Sequence, residues 1–376
     1  MINSKAISFS DQNQKVAVQE PYEKFERENI DYFPVIDYLT FDEKIGEGNF
    51  SQVYKGLYYQ KDQVAIKLIV RGSDYLINCE IEILKKLKGA PHIVQLYEVI
   101  YCDKCGSKDG NKNSNIEYIQ NKDSQNEINR ADHNKNDFQI KALETHHHSG
   151  FKPSSFSKLT LLVFEYLEGI DVMNMYQTFT LDQIRILLRS LLESLSAAHD
   201  LGIVHRDVKL SNIIILHNFS EVKLIDWGCA TFVNECMSSR AGSREGRPPE
   251  MLLGYQNYGF GCDVWAVGIL IIFILNKGII PWKARNSKET LIKLSEFVGG
   301  ELIKDYSKKL NLEIDSKIYE DFYSKPVKTI ESELIEEGWK SDLDYELLEL
   351  MKSCLTIDYQ LRPSAKELLD KPFFKH

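Results

Sequence analysis

The stretch His205-Arg206-Asp207-Val208-Lys209-Leu210-Ser211-Asn212, followed fourteen residues later by Asp226-Trp227-Gly228, decides how this 376-residue chain is to be read. It sets the parts of a phosphoryl-transfer site on two neighbouring loops. Asp207 can accept a proton from an attacking hydroxyl, and Lys209 can neutralise the moving phosphoryl group. Asn212 and Asp226 offer oxygens to magnesium on nucleotide phosphates.

Upstream, Ile45-Gly46-Glu47-Gly48-Asn49-Phe50-Ser51-Gln52-Val53 has a strand-turn-strand pattern whose two glycines would let backbone amides approach phosphates. Fourteen residues past Val53, the strand Val64-Ala65-Ile66-Lys67 ends an apolar run on an ammonium suited to the α- and β-phosphates. A helix is predicted next. Glu80 lies on it, just before the apolar positions Ile81, Ile83, Leu84 and Leu87, and can pair with Lys67. Downstream, Pro248-Pro249-Glu250 resembles the Ala-Pro-Glu end of a kinase activation segment, and that resemblance implies a buried ion pair between Glu250 and the distant Arg362. Asp263, at the start of an apolar helix, is expected to cap the catalytic loop from below. The run Ile269 to Leu275 is too short for a membrane span, which needs roughly 18–20 apolar residues.

These motifs resemble the protein kinase superfamily. That resemblance implies an α+β, bilobal kinase fold: a small antiparallel β-sheet N-lobe with one helix over residues 38–165, and a larger, mainly helical C-lobe over 166–376. Trp227 narrows it, because tryptophan at the middle of this triplet is a hallmark of the casein kinase II catalytic subunit. Leu162-Val163-Phe164-Glu165-Tyr166, Tyr176-Gln177-Thr178-Phe179-Thr180, Leu224-Ile225-Asp226-Trp227-Gly228 and Gly254-Tyr255-Gln256-Asn257-Tyr258 are similar to that family's segments. The likeness runs from about Tyr22 to the end, apart from one insertion.

The resemblance implies a Ser/Thr protein kinase using ATP, or GTP as a second nucleotide, with Mg²⁺. It assigns catalysis to Asp207, Lys209, Lys67, Asn212 and Asp226, and metal binding to Asn212 and Asp226. Ile45, Gly46, Gly48, Val53, Ala65, Lys67, Glu80, Phe164, Ile214 and Asp226, with the backbone of Glu165 and Leu167, would serve the nucleotide. The indole of Trp227 would fill the space beneath the Glu80 helix, and its N–H must find a partner when buried. That arrangement would hold the kinase active without a phosphorylated activation loop. Within the extension 1–37, Pro21-Tyr22-Glu23-Lys24-Phe25-Glu26 looks like the family's segment that docks on the activation segment; the plain alternative is a solvated tail.

Substrate choice departs from the pattern. Arg240, Arg244 and Arg247 match three basic positions that read acidic substrates. Between Lys67 and Glu80, however, Arg71 is the only basic residue, accompanied by Asp74, where the family carries a lysine-rich run. Glu245-Gly246 replaces an aromatic pair in the loop that touches substrate. Acidic sites are the expectation, with a neighbouring, differently directed kinase as the alternative. A nucleotide-binding scaffold without catalysis is a further rival, although every catalytic position is filled.

The net charge of −9 recommends neither nucleic acid nor an anionic membrane as a partner. The start, Met1-Ile2-Asn3-Ser4-Lys5, lacks a secretory signal, so the cytoplasm or nucleus is expected. Seven scattered cysteines argue for reduced thiols. Cys102 and Cys105 with His146-His147-His148 invite a zinc reading, which the His spacing disfavours. Cys229 reads as a small buried residue rather than a reactive thiol. Residues 103–158 are rich in Asn, Lys, Asp, Ser and Gln and are expected to lack order. They lie beside the surface on which the family's catalytic subunit receives its regulatory subunit, the partner implied besides protein substrates.

Overall fold

The computed structural model describes residues 5–7, 36–48, 50–70, 72–103, 116–119, 158–234, 237–322 and 345–375. The docking segment expected at 21–26, Arg71, Cys105 and His146 to His148 lie outside them. The chain divides into two compact units, one within residues 15–81 and 94–167, the other within 1–14, 82–93 and 168–376. The strands are Lys5–Ile7 (β1), Leu39–Glu47 (β2), Ser51–Tyr58 (β3), Asp62–Ile69 (β4), Leu96–Asp103 (β5), Ile116–Ile119 (β6), Lys158–Glu165 (β7), Ile203–Val204 (β8), Ile213–Ile215 (β9), Val222–Leu224 (β10), Thr231–Phe232 (β11) and Leu312–Ile314 (β12).

The first unit is an antiparallel sheet ordered β2-β3-β4-β7-β5-β6. Its alternation is clearest in β4, where Val64, Ile66 and Leu68 are fully buried and pack with Ile100, Leu161 and Val163. The same period turns Ala65 and Lys67 to the opposite face. Cross-strand register pairs Lys67 with Val53 and Leu162, and Ala65 with Phe164. Val53, Ala65, Lys67 and Phe164 therefore share one sheet face. The sixth strand is a departure from expectation: within the polar insertion, 116–119 forms an edge strand paired to β5 from Val99↔Ile119 to Cys102↔Ile116. Ile-Glu-Tyr-Ile is a short β-prone island whose backbone groups gain partners at an open sheet edge, which local composition could not reveal.

Helix α1, Asp74–Lys86, carries an acidic residue in its first turn and Lys85 and Lys86 in its last, matching the helix dipole. Further helices are Val172–Met175 (α2), Leu181–Asp200 (α3), Pro249–Leu252 (α4), Gly261–Leu275 (α5), Ser287–Val298 (α6), Gly300–Lys309 (α7), Ser316–Phe322 (α8), Tyr345–Cys354 (α9) and Ala365–Leu369 (α10). A capping box starts α3: Thr180 accepts from the Gln183 amide and Gln183 reaches back to the Thr180 amide. Its apolar stripe, from Ile184 through Leu187, Leu188, Leu191 and Leu195, is buried in the second unit. Helix α5 is buried nearly all round, as its apolar sequence after Asp263 requires. Among the described residues no helix is long and apolar enough to cross a membrane.

In the same unit Glu250 and Arg362 form the expected ion pair at 2.9 and 3.2 Å, with both side chains fully buried. Arg362 also donates to the carbonyls of Gly261, Thr356 and Ile357, and its guanidinium lies 5.1 Å from the Trp265 ring centre. That donor set satisfies a charge which burial would otherwise make costly. One pairing was not anticipated: β1 adds parallel to β12, from Lys5↔Leu312 to Ile7↔Ile314.

Candidate active site

In the sheet unit, the Lys67 ammonium lies 2.6 Å from the Glu80 carboxylate, with side-chain exposures of only 11% and 7%. Strand β4 fixes the lysine and α1 fixes the glutamate, so sequence spacing becomes a buried ion pair. Val53, Ala65 and Phe164 lie on the same sheet face as the ammonium. The turn between β2 and β3 is closed by the Gly48 amide donating to the Ser51 carbonyl at 2.8 Å. Neither Gly46 nor Gly48 has positive φ, and a Cβ at either would meet only ordinary contacts. Nothing in the fold itself demands glycine there, and Ile45 is exposed beside the turn. Glu165 donates its amide to the Gln95 carbonyl, and its carboxylate accepts from the Gln95 amide. The amide of Glu165 is thus engaged by the Gln95 carbonyl. Leu167, two residues on, is half-buried.

In the helical unit, the antiparallel pair β9–β10 brings Asn212, just before β9, beside the residues after β10; the Ile225 amide donates to the Asn212 carbonyl at 2.9 Å. Ile214 is half-buried on β9. Asp263, wholly buried, accepts from the amides of His205 and Arg206 at 2.8 and 2.7 Å and from His199 at 3.0 Å. These bonds hold Arg206 at φ 67°, and Asp226 likewise sits at φ 58°. Two consecutive motifs thus keep non-glycine residues in left-handed backbone, strain typical of functional loops.

The Asp207 carboxylate is gripped from both sides. One oxygen accepts from the Ser243 amide at 2.8 Å and hydroxyl at 2.7 Å. The other accepts from Lys209 at 2.7 Å and the Asn212 amide nitrogen at 3.2 Å. Burial pushes its pKa up, but the Lys209 and Ser243 donors outweigh burial and leave it below the ordinary carboxylate value. Ser243 escaped sequence reasoning because it lies 36 residues from Asp207 and stands in no motif that was sought. Gly242, at φ +67°, makes the approach possible, since a Cβ there would lie 1.9 Å from the Arg206 carbonyl oxygen.

The three activation-segment arginines differ. Arg247 donates to the carbonyls of Ala241 and Gly242 at 3.0 and 2.9 Å, and Arg244 to those of Ala284 and Arg285 at 3.2 and 2.6 Å, while Arg240 is exposed. Arg206 donates to the Cys229 carbonyl at 2.6 Å. Burial, then the Asp207 and Asp226 carboxylates, push the Cys229 thiol up, so it stays protonated.

Trp227 is 1% exposed and packs edge-on against His205 at 4.7 Å. Its indole N–H has no hydrogen-bond partner among the described residues, contrary to the expectation that burial would supply one. Cys102 is buried in the sheet core, and no His, Cys, Asp and Glu cluster able to hold a metal occurs among the described residues.

Asn212 suits a hard cation: its amide nitrogen is engaged by Asp207, and its Oδ1 remains an oxygen ligand of the kind magnesium takes. Asp226 adds an exposed carboxylate at the end of the adjacent strand pair. The helical unit thus carries a gripped carboxylate with a lysine beside it and an Asn and Asp on adjoining loops, and the sheet unit carries a buried Lys–Glu pair on an antiparallel sheet. Residues 104–374, more than half of the chain, match the protein kinase domain family, and the chain belongs to that family. The matched span contains Asp207, Asp226, Glu250 and Arg362 and begins after Lys67 and Glu80.

Proposed function

We propose that the chain is a Ser/Thr protein kinase of the casein kinase II type, transferring the γ-phosphoryl group of ATP to hydroxyls in acidic contexts. The observation that supports the kinase part of this reading is the Asp207 carboxylate held between Lys209, Asn212 and Ser243; the casein kinase II type rests on the resemblance at Trp227 and its neighbouring segments. Kept ionised and aimed by fixed donors, Asp207 can orient an acceptor hydroxyl and take its proton as the new O–P bond forms. Lys209, 2.7 Å away, would balance charge on the transferred group; a lysine two residues after the catalytic Asp is the feature by which the resemblance implies Ser/Thr rather than Tyr acceptors.

Lys67, fixed by Glu80, would bind the α- and β-phosphates, and Val53, Ala65 and Phe164 would form an apolar wall for the purine. A role for Ile214 toward the nucleotide, and GTP as an alternative nucleotide, rest on the resemblance alone. Asn212 and Asp226 would hold magnesium, which neutralises phosphate charge when bound. The engagement of Arg206 and Arg247 by backbone carbonyls supports activity without a phosphorylated activation loop, because part of their donor capacity is taken up without a phosphate. Location in the cytoplasm or nucleus belongs to the same reading. A regulatory subunit is a proposed partner, and the insertion between β5 and β7 would alter its docking. Equal capture of the full chain and one lacking residues 108 to 150 would remove that role for the insertion.

The deciding assay is transfer from labelled ATP, with Mg²⁺, to a Ser peptide followed by acidic residues and to matched basic and proline-containing peptides. Transfer favouring the acidic peptide, and lost in Asp207→Asn, is expected. Preference for another peptide would discard the casein kinase II specificity, and absence of transfer by the unmodified chain would discard catalysis.

A further inference from the structure

Reading acidic substrates requires exposed cations, and those assigned by resemblance are partly engaged elsewhere. Arg247 is bonded to the carbonyls of its own segment, and Arg244 to those of Ala284 and Arg285. In a chain of net charge −9, any local surplus of exposed cations is a distinctive feature.

The bonds made by Arg244 have a second effect. They tether the connection between α5 and α6 to the turn Arg244–Gly246, one residue past the Ser243 that bonds Asp207. That connection carries Lys283 and Arg285, both exposed, the Lys283 side chain to 72%. The backbone around them is fixed from two directions: Lys293 donates to the Lys283 carbonyl at 2.8 Å, and the Glu289 carboxylate accepts from the Arg285 amide at 3.2 Å. The Lys283 ammonium lies 3.9 Å from the Glu245 carboxylate, a loose pair, and the Arg285 guanidinium makes no ion pair among the described residues.

We propose that Lys283 and Arg285 form a basic reader for acidic residues close to the acceptor in the substrate, and that the Glu245 carboxylate occupies Lys283 until a substrate carboxylate replaces it. The inference rests on the kinase reading above and deepens it, moving part of substrate choice from α1 to the α5–α6 connection. From Ser243 to that connection is one residue plus an arginine side chain, roughly 10 Å, which an extended peptide covers in about three residues. The contacts are solvated ion pairs, so each should change affinity only a few-fold and weaken with salt.

The test compares kcat/KM for a Ser peptide carrying an acidic run with that for the same peptide carrying alanines, in the full chain. In Lys283→Ala/Arg285→Ala the acidic-to-neutral ratio is expected to fall about fivefold, through KM rather than kcat. Glu245→Gln should raise the ratio, and for the unmodified chain it should shrink between about 0.05 and 0.5 M salt. An unmodified chain that prefers the acidic peptide beside a double variant with the same preference would overturn the inference alone. Absence of acidic preference in the unmodified chain would overturn the specificity reading beneath it. Should the alanine variant lose both substrates, Lys283→Glu/Arg285→Glu decides: a gain on a peptide with lysines at the same positions supports the reader, and no such gain overturns it.

Discussion

Replacing Trp227 by phenylalanine tests what holds the loop after β10 in place. The indole is 1% exposed, and its N–H is buried without a partner among the described residues. An unsatisfied buried donor costs about 1–3 kcal/mol, and Trp227→Phe removes that penalty. Against it stands the smaller ring: about 40 Å³ of residual cavity at about 24 cal/mol per Å³ costs ~1 kcal/mol, and lost apolar transfer adds ~1 kcal/mol. The terms nearly cancel. Trp227→Phe should therefore lie within ~1 kcal/mol of the unmodified chain in urea denaturation, with an unchanged slope. Trp227→Ala, which vacates the whole site and the edge contact with His205, should lose about 3–5 kcal/mol. A loss above ~3 kcal/mol for the phenylalanine variant would refute the reasoning, since the indole N–H must then have been hydrogen-bonded, most simply to a buried water.

The Glu250–Arg362 pair gives the opposite sign of result. Arg362→Met strands a wholly buried carboxylate and should lower stability by about 3–5 kcal/mol, whereas adding Glu250→Gln should restore part of it in the same denaturation assay. The third expectation concerns pH. Asp207 has a folded-state pKa below its ordinary 3.8, so its contribution is complete above that value and is lost as pH falls through the lower folded one. Ser243→Ala removes one of its donors, so the acid limb of kcat/KM should move to higher pH; an unmoved limb would show that Ser243 does not tune the carboxylate.

The motifs on loops and short elements were legible because each carries its chemistry in local spacing. His205 to Asn212 and Asp226 to Gly228 are consecutive turns, and Lys67 follows from the alternation of β4. Glu80 needed only the helical period to be named as a partner for Lys67, and Glu250 and Arg362 needed only their place in the family's order. Strand 116–119 was not legible, since its partner is an edge roughly fifteen residues away in a segment of unfavourable composition. The orphaned indole was equally hidden, because burial can be read from residue type while the presence of a partner atom cannot.

By itself the sequence determined the chemistry available: which carboxylates, ammonium groups and amides the chain brings, and the periodicities that turn Val64, Ile66 and Leu68 inward and Lys67 to the other face. Only the tertiary structure decided how those groups are used. It set Ser243 against Asp207 through a glycine that admits the approach, and it directed Arg244 to the Ala284 and Arg285 carbonyls and Arg247 to its own segment. The same bonds drew Lys283 and Arg285 to the turn. The physical reason is that hydrogen-bond partners of long polar side chains are fixed by distances across the fold, which separation along the chain does not encode.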